Sequence, residues 1–395
     1  MRIGSGLSQT HDTRTAAMEA ALAAREGPLG ERPSLAVVFA SPHHADRAAA
    51  VLDAVHEAAS PESVIGCLAE GVIAREQEVE QGPSVSVWLG ALPGESEPFL
   101  LEFSRVDDEG FFSGWPEDGQ GTFLLIGDPF SFPADLFLRH LNETMPGTTV
   151  IGGMASGARA PGDTRLFFSK EIVTSGAVGV RLPSSVQIVS LVSQGCRPVG
   201  DTFTVTRGEG NVILELAGRP PLERLNDLHA RLSAEERLLL ARGLQLGRVI
   251  DEYKPEFGRG DFLVRGVLGA DSRSGAVAVG DMVEVGETVQ FHVRDAASAD
   301  DDLRSALGRA REGLGGRTPA GALLFTCNGR GSRLFKVPNH DAGLVSGELG
   351  EIPLAGFFCA GEFGPVGGKN FLHGFTASMA LFCDPPPAYD AGSGS

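Results

Sequence analysis

The sequence predicts an α/β (α+β) protein of two related halves, built from repeated strand–helix–strand units, with mixed sheets packed together and helices outside. Three observations predict it. Short apolar strands alternate with helical stretches, the pattern of layered α/β folds. The same small-residue spacing, Gly-x-x-Ala/Cys-x-Gly, recurs three times. Each copy follows an apolar strand by about 30 residues, a self-similarity that marks repeated structural units.

In the first unit Leu35 to Phe39 is an apolar strand and Ala40-Ser41-Pro42 follows it. A helix is expected from Ala45 to Ala59, before Val64-Ile65 enters Gly66-x-x-Ala69-x-Gly71. The second unit runs from Phe123 to Ile126, through Gly127-Asp128-Pro129 and a helix from Ala134 to Glu143, into Gly152-x-x-Ala155-x-Gly157. The third has Ala322 to Phe325, then Thr326-Cys327, and later Gly356-x-x-Cys359-x-Gly361. Each closes on another strand: Gly82 to Leu89, Gly176 to Val180, and Gly374 to Phe382. A weaker fourth copy is read at Phe262 to Gly266, with Gly269 and a strand from Ala276 to Val279. Ser41 and Asp128, each before Pro, read as helix N-caps.

Arg219-Pro220-Pro221 reads as a boundary. It divides an N-terminal domain, 1–220, from a C-terminal domain, 221–384, with a disordered Pro/Gly/Ser-rich tail over 385–395. A helix is expected from Leu222 to Leu240, on the spacing of Leu222, Leu225, Leu228 and Leu232. The acidic run Asp295 to Asp302 reads as a helix start, where carboxylates favour the dipole, and lacks calcium-loop ligand spacing.

Composition excludes some functions. The chain has 51 acidic against 33 basic side chains, a formal charge of −18, and no basic run. Such a surface repels nucleic-acid backbones and anionic lipids. The first residues form no signal peptide, and no apolar stretch approaches the roughly 18 residues of a membrane span. Five cysteines without a C-x-x-C fit neither a disulfide framework nor a Cys-rich zinc site. A cytoplasmic protein with reduced thiols is expected.

Chemistry concentrates between Cys327 and Thr376. Six glycines stand in the nineteen residues Gly356 to Gly374, a backbone cost that special dihedrals or close approach would justify. Neither a Walker loop nor a dinucleotide fingerprint is present. Instead Cys359, Glu362, Lys369, Asn370, His373 and Thr376 offer mixed polar groups among apolar ones, which suits a pocket for a small polar ligand. A packed glycine corner is the structural alternative. Cys327 or Cys359 with His373 would make a thiol/imidazole pair. Cys359 stands where the sister units have Ala69 and Ala155, which argues for packing and for binding over turnover.

The stretches SLAVVFASPHHADRAAAVL, VIGCLAEGVI and GPSVSVWLGAL resemble the N-terminal FIST domain, and GALLFTCNGRGSRLF with PLAGFFCAGEFGPVGGKNFLHGFTASMALF resembles the C-terminal one. The resemblance implies an intracellular small-molecule sensor, with an amino acid or related metabolite as ligand. It also implies action through a signalling protein, here a separate partner because no F-box, kinase or cyclase module stands in the sequence. Some bacterial FIST proteins bind haem as nitric oxide sensors, which makes haem the alternative cofactor. The motif positions carried over are Cys327, Asn328, Gly329, Arg330, Gly331, Gly361, Glu362, Gly364, Pro365, Asn370, His373 and Thr376. By side-chain chemistry, Arg330 is the candidate to grip a carboxylate bidentately and Glu362 to hold an ammonium.

Overall fold

A computed structural model describes residues 1–26, 30–107, 109–117, 119–258 and 260–385. The expected tail lies, beyond Pro385, outside the described residues. Among those described are 7 α-helices and 25 strands, arranged as three mixed sheets and a closed six-stranded barrel.

The three repeated units form the centres of the three sheets. Leu35–Ala40 pairs parallel with Ser63–Leu68 and antiparallel with Val85–Ala91. Thr122–Gly127 does the same with Thr149–Met154 and Ala177–Arg181. Gly321–Cys327 does so with Leu354–Cys359 and Thr376–Cys383. The first glycine of each motif is required by close approach. A Cβ on Gly66, Gly152 or Gly356 would lie 1.8, 1.9 and 1.8 Å from the carbonyl oxygens of Val38, Leu125 and Leu324.

The hairpin after each motif does not stay with its own unit. Val72–Ala74 and Gln77–Val79 leave the first unit and extend the third sheet beside Leu354–Cys359. Leu166–Phe168 and Glu171–Val173 leave the second and extend the first sheet. Glu362–Val366 and Lys369–His373 leave the third and extend the second. The exchange is cyclic, and backbone bonds repeat around it: Phe358 N to Gly71 O, Gly157 N to Leu68 O, and Met154 N to Gly361 O, at 3.0, 3.1 and 2.8 Å. Segments on both sides of residue 220 therefore share sheets.

The inner faces of all three sheets meet in one core, with Phe39, Phe325 and Phe357 in mutual ring contact and Trp88 against Phe382. Helices cover the outer faces. Thr13–Arg25 and Ala48–Ala59 lie on the first sheet, Ala134–Thr144 on the second, and Ala296–Gly313 with His340–Leu349 on the third. Burying both faces of each central strand accounts for their nearly unbroken apolar sequence.

The barrel is inserted into the third unit. Its first strand, Cys196–Glu209, follows Gln187–Gln194 after Gly195, and its last in sequence, Thr288–Arg294, leads into helix Ala296–Gly313. Asp295 caps that helix through Ala297 N, in line with the acidic helix start.

Four expectations need correction. Phe262–Ala270 and Val277–Val279 are antiparallel barrel strands with no helix between them, so no fourth unit exists there. Ser41 does stand at an N-cap, with Pro42 following, but of a 3-10 helix, Pro42–Arg47, and without a side-chain cap bond; its Oγ accepts from Ser84 N at 2.9 Å. Asp128 lies five residues before Pro133, the actual residue preceding helix Ala134–Thr144, and accepts from Ser131 and Thr164 hydroxyls. The helix expected from Leu222 to Leu240 is two, Pro221–Arg231 and Ala234–Arg242. Leu232 is extended and Ser233 with Glu236 forms a capping box, which restarts the helix.

Candidate functional site

Cys327 ends the central strand of the third sheet, at the carboxyl edge where open α/β sheets place their ligands. Its side chain shares the inward face with Cys359, its register partner on the parallel neighbour. Four segments converge on it: the loop Asn328 to Gly331, the donated hairpin at Glu362, the strand start at Phe375 and Thr376, and the barrel root at Gly195, Cys196 and Arg294. The Cys327 sulfur accepts from Gly329 N at 3.4 Å. Arg294 donates to the Gly329 carbonyl and lies 5.1 Å from the Phe375 ring centroid. Phe375 has φ +64°, a left-handed conformation that costs a bulky residue about 1–3 kcal/mol and tends to persist at functional sites.

Arg330 is fully buried (0% exposed) and its Nε and Nη2 grip Asp341 at 2.7 and 2.8 Å. The pair is held from behind: Thr326 Oγ1 donates to Asp341 at 2.8 Å, and the His340 ring sits between Asp341 and Asp300. Burial opposes the charge on Asp341, but Arg330 outweighs it and holds the carboxyl well below the usual range. Arg330 thus already carries an internal carboxylate. Its Nη1 remains buried without a partner.

Glu362 is equally buried (0% exposed). Thr376 donates to its Oε2 through Oγ1 at 2.7 Å and through N at 3.2 Å, while Oε1 has no partner. Burial pushes this carboxyl up to about 8, against the pull of the Thr376 bonds and Arg330. Burial, then Glu362, pushes the Cys327 thiol up to about 12, against the backbone N–H groups of Gly329 and Phe375 and the charge of Arg294. The thiol and the carboxyl shift each other's ionisation, yet no hydrogen bond of good geometry joins them, so Oε1 stays open.

The repeat makes Glu362 stand out. In the strand that joins each host sheet, its register equivalents are Val72, opposite Phe357, and Leu166, opposite Cys67, where Glu362 faces Gly153. Both are fully buried apolar residues of the central core. A carboxyl in the third equivalent place costs stability.

The remaining candidates fall elsewhere. Gly331 has φ +56°, and a Cβ there would meet the Glu80 carboxylate at 2.7 Å, which itself takes the N and Oγ of Ser332. Asn328 N donates to Cys359 O, and its buried Oδ1 has no partner. Cys359 is buried against Gly153, where a Cβ would lie 2.5 Å from its sulfur, and burial holds its thiol well above the usual value. Gly361 and Gly364 are spaced by packing: added Cβ atoms would meet Leu372 and Val192 at 2.8 and 2.4 Å. Asn370 fastens the hairpin to the second unit, accepting from Val150 N and donating to Thr148 O, both at 2.8 Å. His373 is buried with Nε2 on the Gly364 carbonyl at 2.9 Å, and burial drops it to about 4. Lys369 is exposed at the hairpin turn. The structure therefore gathers Cys327, Arg330, Glu362 and Thr376, and sets Asn370 and His373 into the hairpin's own framework.

Asp341, Arg294 and Phe375 escaped the sequence reading. Asp341 resembles any acidic first-turn residue, and Arg294 is brought in by the barrel's return; the sole available signal was Phe375 after Gly374.

Neither His373 nor Cys359 fits an open axial position for haem, since one nitrogen is engaged and the sulfur is enclosed. Among the described residues no group of three or more His, Cys, Asp or Glu side chains is placed to hold a metal ion. No described helix is long and apolar enough to cross a membrane.

Comparison with known proteins now decides the family. The FIST N domain model matches residues 34–219 and the FIST C domain model residues 221–365. The chain belongs to the FIST family. FIST domains are associated with signal transduction. An uncharacterized protein of Mycobacterium tuberculosis is 53% identical over 386 residues, spanning 97% of this chain and 100% of its own. Another, of Mycobacterium bovis, is 51% identical over 386 residues, spanning 97% of this chain and 99% of its own. In this FIST protein the Cys327 loop, Asp341 and Glu362 all lie within the FIST C match.

The raised carboxyl gives a pH prediction. Glu362 binds its proton more tightly folded, at about 8, than in the unfolded chain, near 4.5. Where the folded state holds more protons, stability falls as pH rises. From pH 5 to 8 the wild type should lose stability that Glu362→Gln retains, as the difference between two urea-melt series. Parallel curves would show that Glu362 is ionised throughout.

Proposed function

We propose that this FIST protein binds a small polar metabolite at Cys327, Arg330, Glu362 and Thr376, and passes the event through the barrel root to a separate signalling partner. One observation carries the reading: Arg330 Nη1 and Glu362 Oε1 are both buried without partners, and Glu362 stands where the sister hairpins place Val72 and Leu166. Unpaired buried polar atoms cost about 1–3 kcal/mol each, a penalty a ligand removes on binding. An amino acid suits the donor set. Its carboxylate meets Arg330 Nη1 and the unpartnered Nε of Arg294, and its ammonium meets Glu362. Among the described residues no carboxylate pairs with Arg294, so the site has cationic character to spare. Arg294 and Gly195 belong to the two crossings into the barrel, and Gly195 N bonds Phe375 O at 2.8 Å, which supports coupling between site and barrel.

The test is a melting-shift screen over amino acids, small peptides and organic acids. A ligand at about 100 times its Kd should stabilise by about 2.7 kcal/mol. Thr376→Val, which removes the Oγ1 bond to Glu362 Oε2 and leaves only the one from the backbone N, should weaken that shift. No shift from any compound, with a crystal showing only a water between Arg330 and Glu362, overturns the reading.

A further inference from the structure

We infer that Cys327 is a nucleophile with Glu362 as its proton acceptor, and that the site captures the acyl group of a small thioester or activated ester. The inference rests on the binding reading above and assigns it a covalent step.

The geometry is that of a supported reaction centre. A nucleophile needs a base facing it, and the base needs a third group to orient it. Cys327 lies one step beyond the Thr326–Ala377 register pair, which sets it beside Thr376, and Thr376 fixes one oxygen of Glu362 with two hydrogen bonds while Oε1 has no partner. Cys327 is partly exposed where the other four cysteines are buried, and it ends a parallel strand. Arg330, locked by two bonds to Asp341, keeps Nη1 free. Arg294 adds a second unpartnered N–H on its Nε. Donors held rigidly by the protein stabilise developing negative charge without reorganisation. Expectation had paired the thiol with His373. That ring is occupied by the Gly364 carbonyl, and Glu362 takes its place as base.

The free thiol is protonated, so this is no preformed thiolate that reacts with any electrophile. Proton transfer must accompany attack, and the ionised form of Glu362 is the acceptor, so the step should speed up as pH rises toward about 8. In the step, the Cys327 sulfur forms a bond to the acyl carbon while its proton passes to Glu362 Oε1. The oxyanion faces Arg330 Nη1 and Arg294 Nε. The bond to the leaving thiol or phenol then breaks, and Glu362 returns the proton to it. The products are the S-acyl Cys327 protein and the free thiol or phenol, with no change of oxidation state.

The test exposes the full chain to p-nitrophenyl acetate and to the acetyl thioester of N-acetylcysteamine, followed by peptide mass spectrometry. One acetyl group is expected on the Cys327 peptide, formed about 100-fold faster than on free N-acetylcysteine at the same pH. Cys327→Ser should abolish it. Glu362→Gln, which can keep its bond from Thr376, should slow it by about the same factor while its circular dichroism stays that of wild type. Acetylation no faster than the free thiol, on lysines alone, or unchanged in Glu362→Gln overturns the proposal. The melting-shift screen on Cys327→Ser separates the two readings. A retained shift without acylation of the wild type leaves binding standing and the covalent step refuted. Loss of both removes both.

Discussion

Asp341→Ala is expected to destabilise the protein by about 3–5 kcal/mol, the cost of leaving a fully buried guanidinium without its counter-ion. Arg330 has no exposure and no second carboxylate in hydrogen-bond contact among the described residues. Removing Asp341 also strips the acceptor of Thr326 Oγ1 and of the His340 ring. Urea melts monitored by circular dichroism would measure the loss. The double variant Arg330→Met with Asp341→Leu should recover most of it, because apolar side chains of similar volume need no counter-ion in such a place. If the double variant is as unstable as the single one, the pair's hydrogen bonds to its neighbours outweigh its charge. If Asp341→Ala costs under 1 kcal/mol, the pair is solvated in solution and Nη1 cannot be an unpaired donor.

The same pair shows where reading a sequence stops. Arg330 was recognisable as a functional candidate because a guanidinium in a glycine-rich loop is built to bind an oxyanion. That the oxyanion is Asp341, eleven residues on, depends on how the loop folds back over a helix start. Glu362 was found as a residue but not as an anomaly. Its equivalence to Val72 and Leu166 exists only once each hairpin is seen to join the next sheet, and such long-range pairing leaves no local signal. The repeat itself was legible because the glycines that permit it are local and recur. Short patterns also mislead: Gly266 and Gly269 imitate the motif inside a barrel strand. Ser41-Pro42 and Asp128-Pro129 carry the local chemistry of helix starts. In the fold their oxygens serve the neighbouring closing segment and loop, since each first strand ends beside the start of the closing strand.

Gly356→Ala is expected to be among the most damaging single substitutions in the chain. Its Cβ would stand 1.8 Å from Leu324 O and 2.8 Å from Leu324 C, both backbone atoms of the paired strand. No rotamer change relieves such an overlap, so Leu354–Cys359 must move away from Gly321–Cys327, and close-packed interiors resist such shifts. Phe325 and Phe357, the next register pair along, belong to the core shared by all three sheets. The Val72–Ala74 strand donated by the first unit is hydrogen-bonded to the displaced strand. One methyl group therefore loads two units at once, and a loss above about 4 kcal/mol is expected, in the range of severe core disruption. The contrasting case is Gly343, within helix His340–Leu349, where a Cβ meets nothing within 4 Å. Gly343→Ala should gain up to about 1 kcal/mol from helix propensity. Melting both variants beside the wild type checks the pair. If Gly356→Ala melts within a few degrees of wild type, the central strands do not approach as closely as the exchanged-hairpin architecture requires. The Cys327 register with Cys359, on which the site depends, would then lose its support as well.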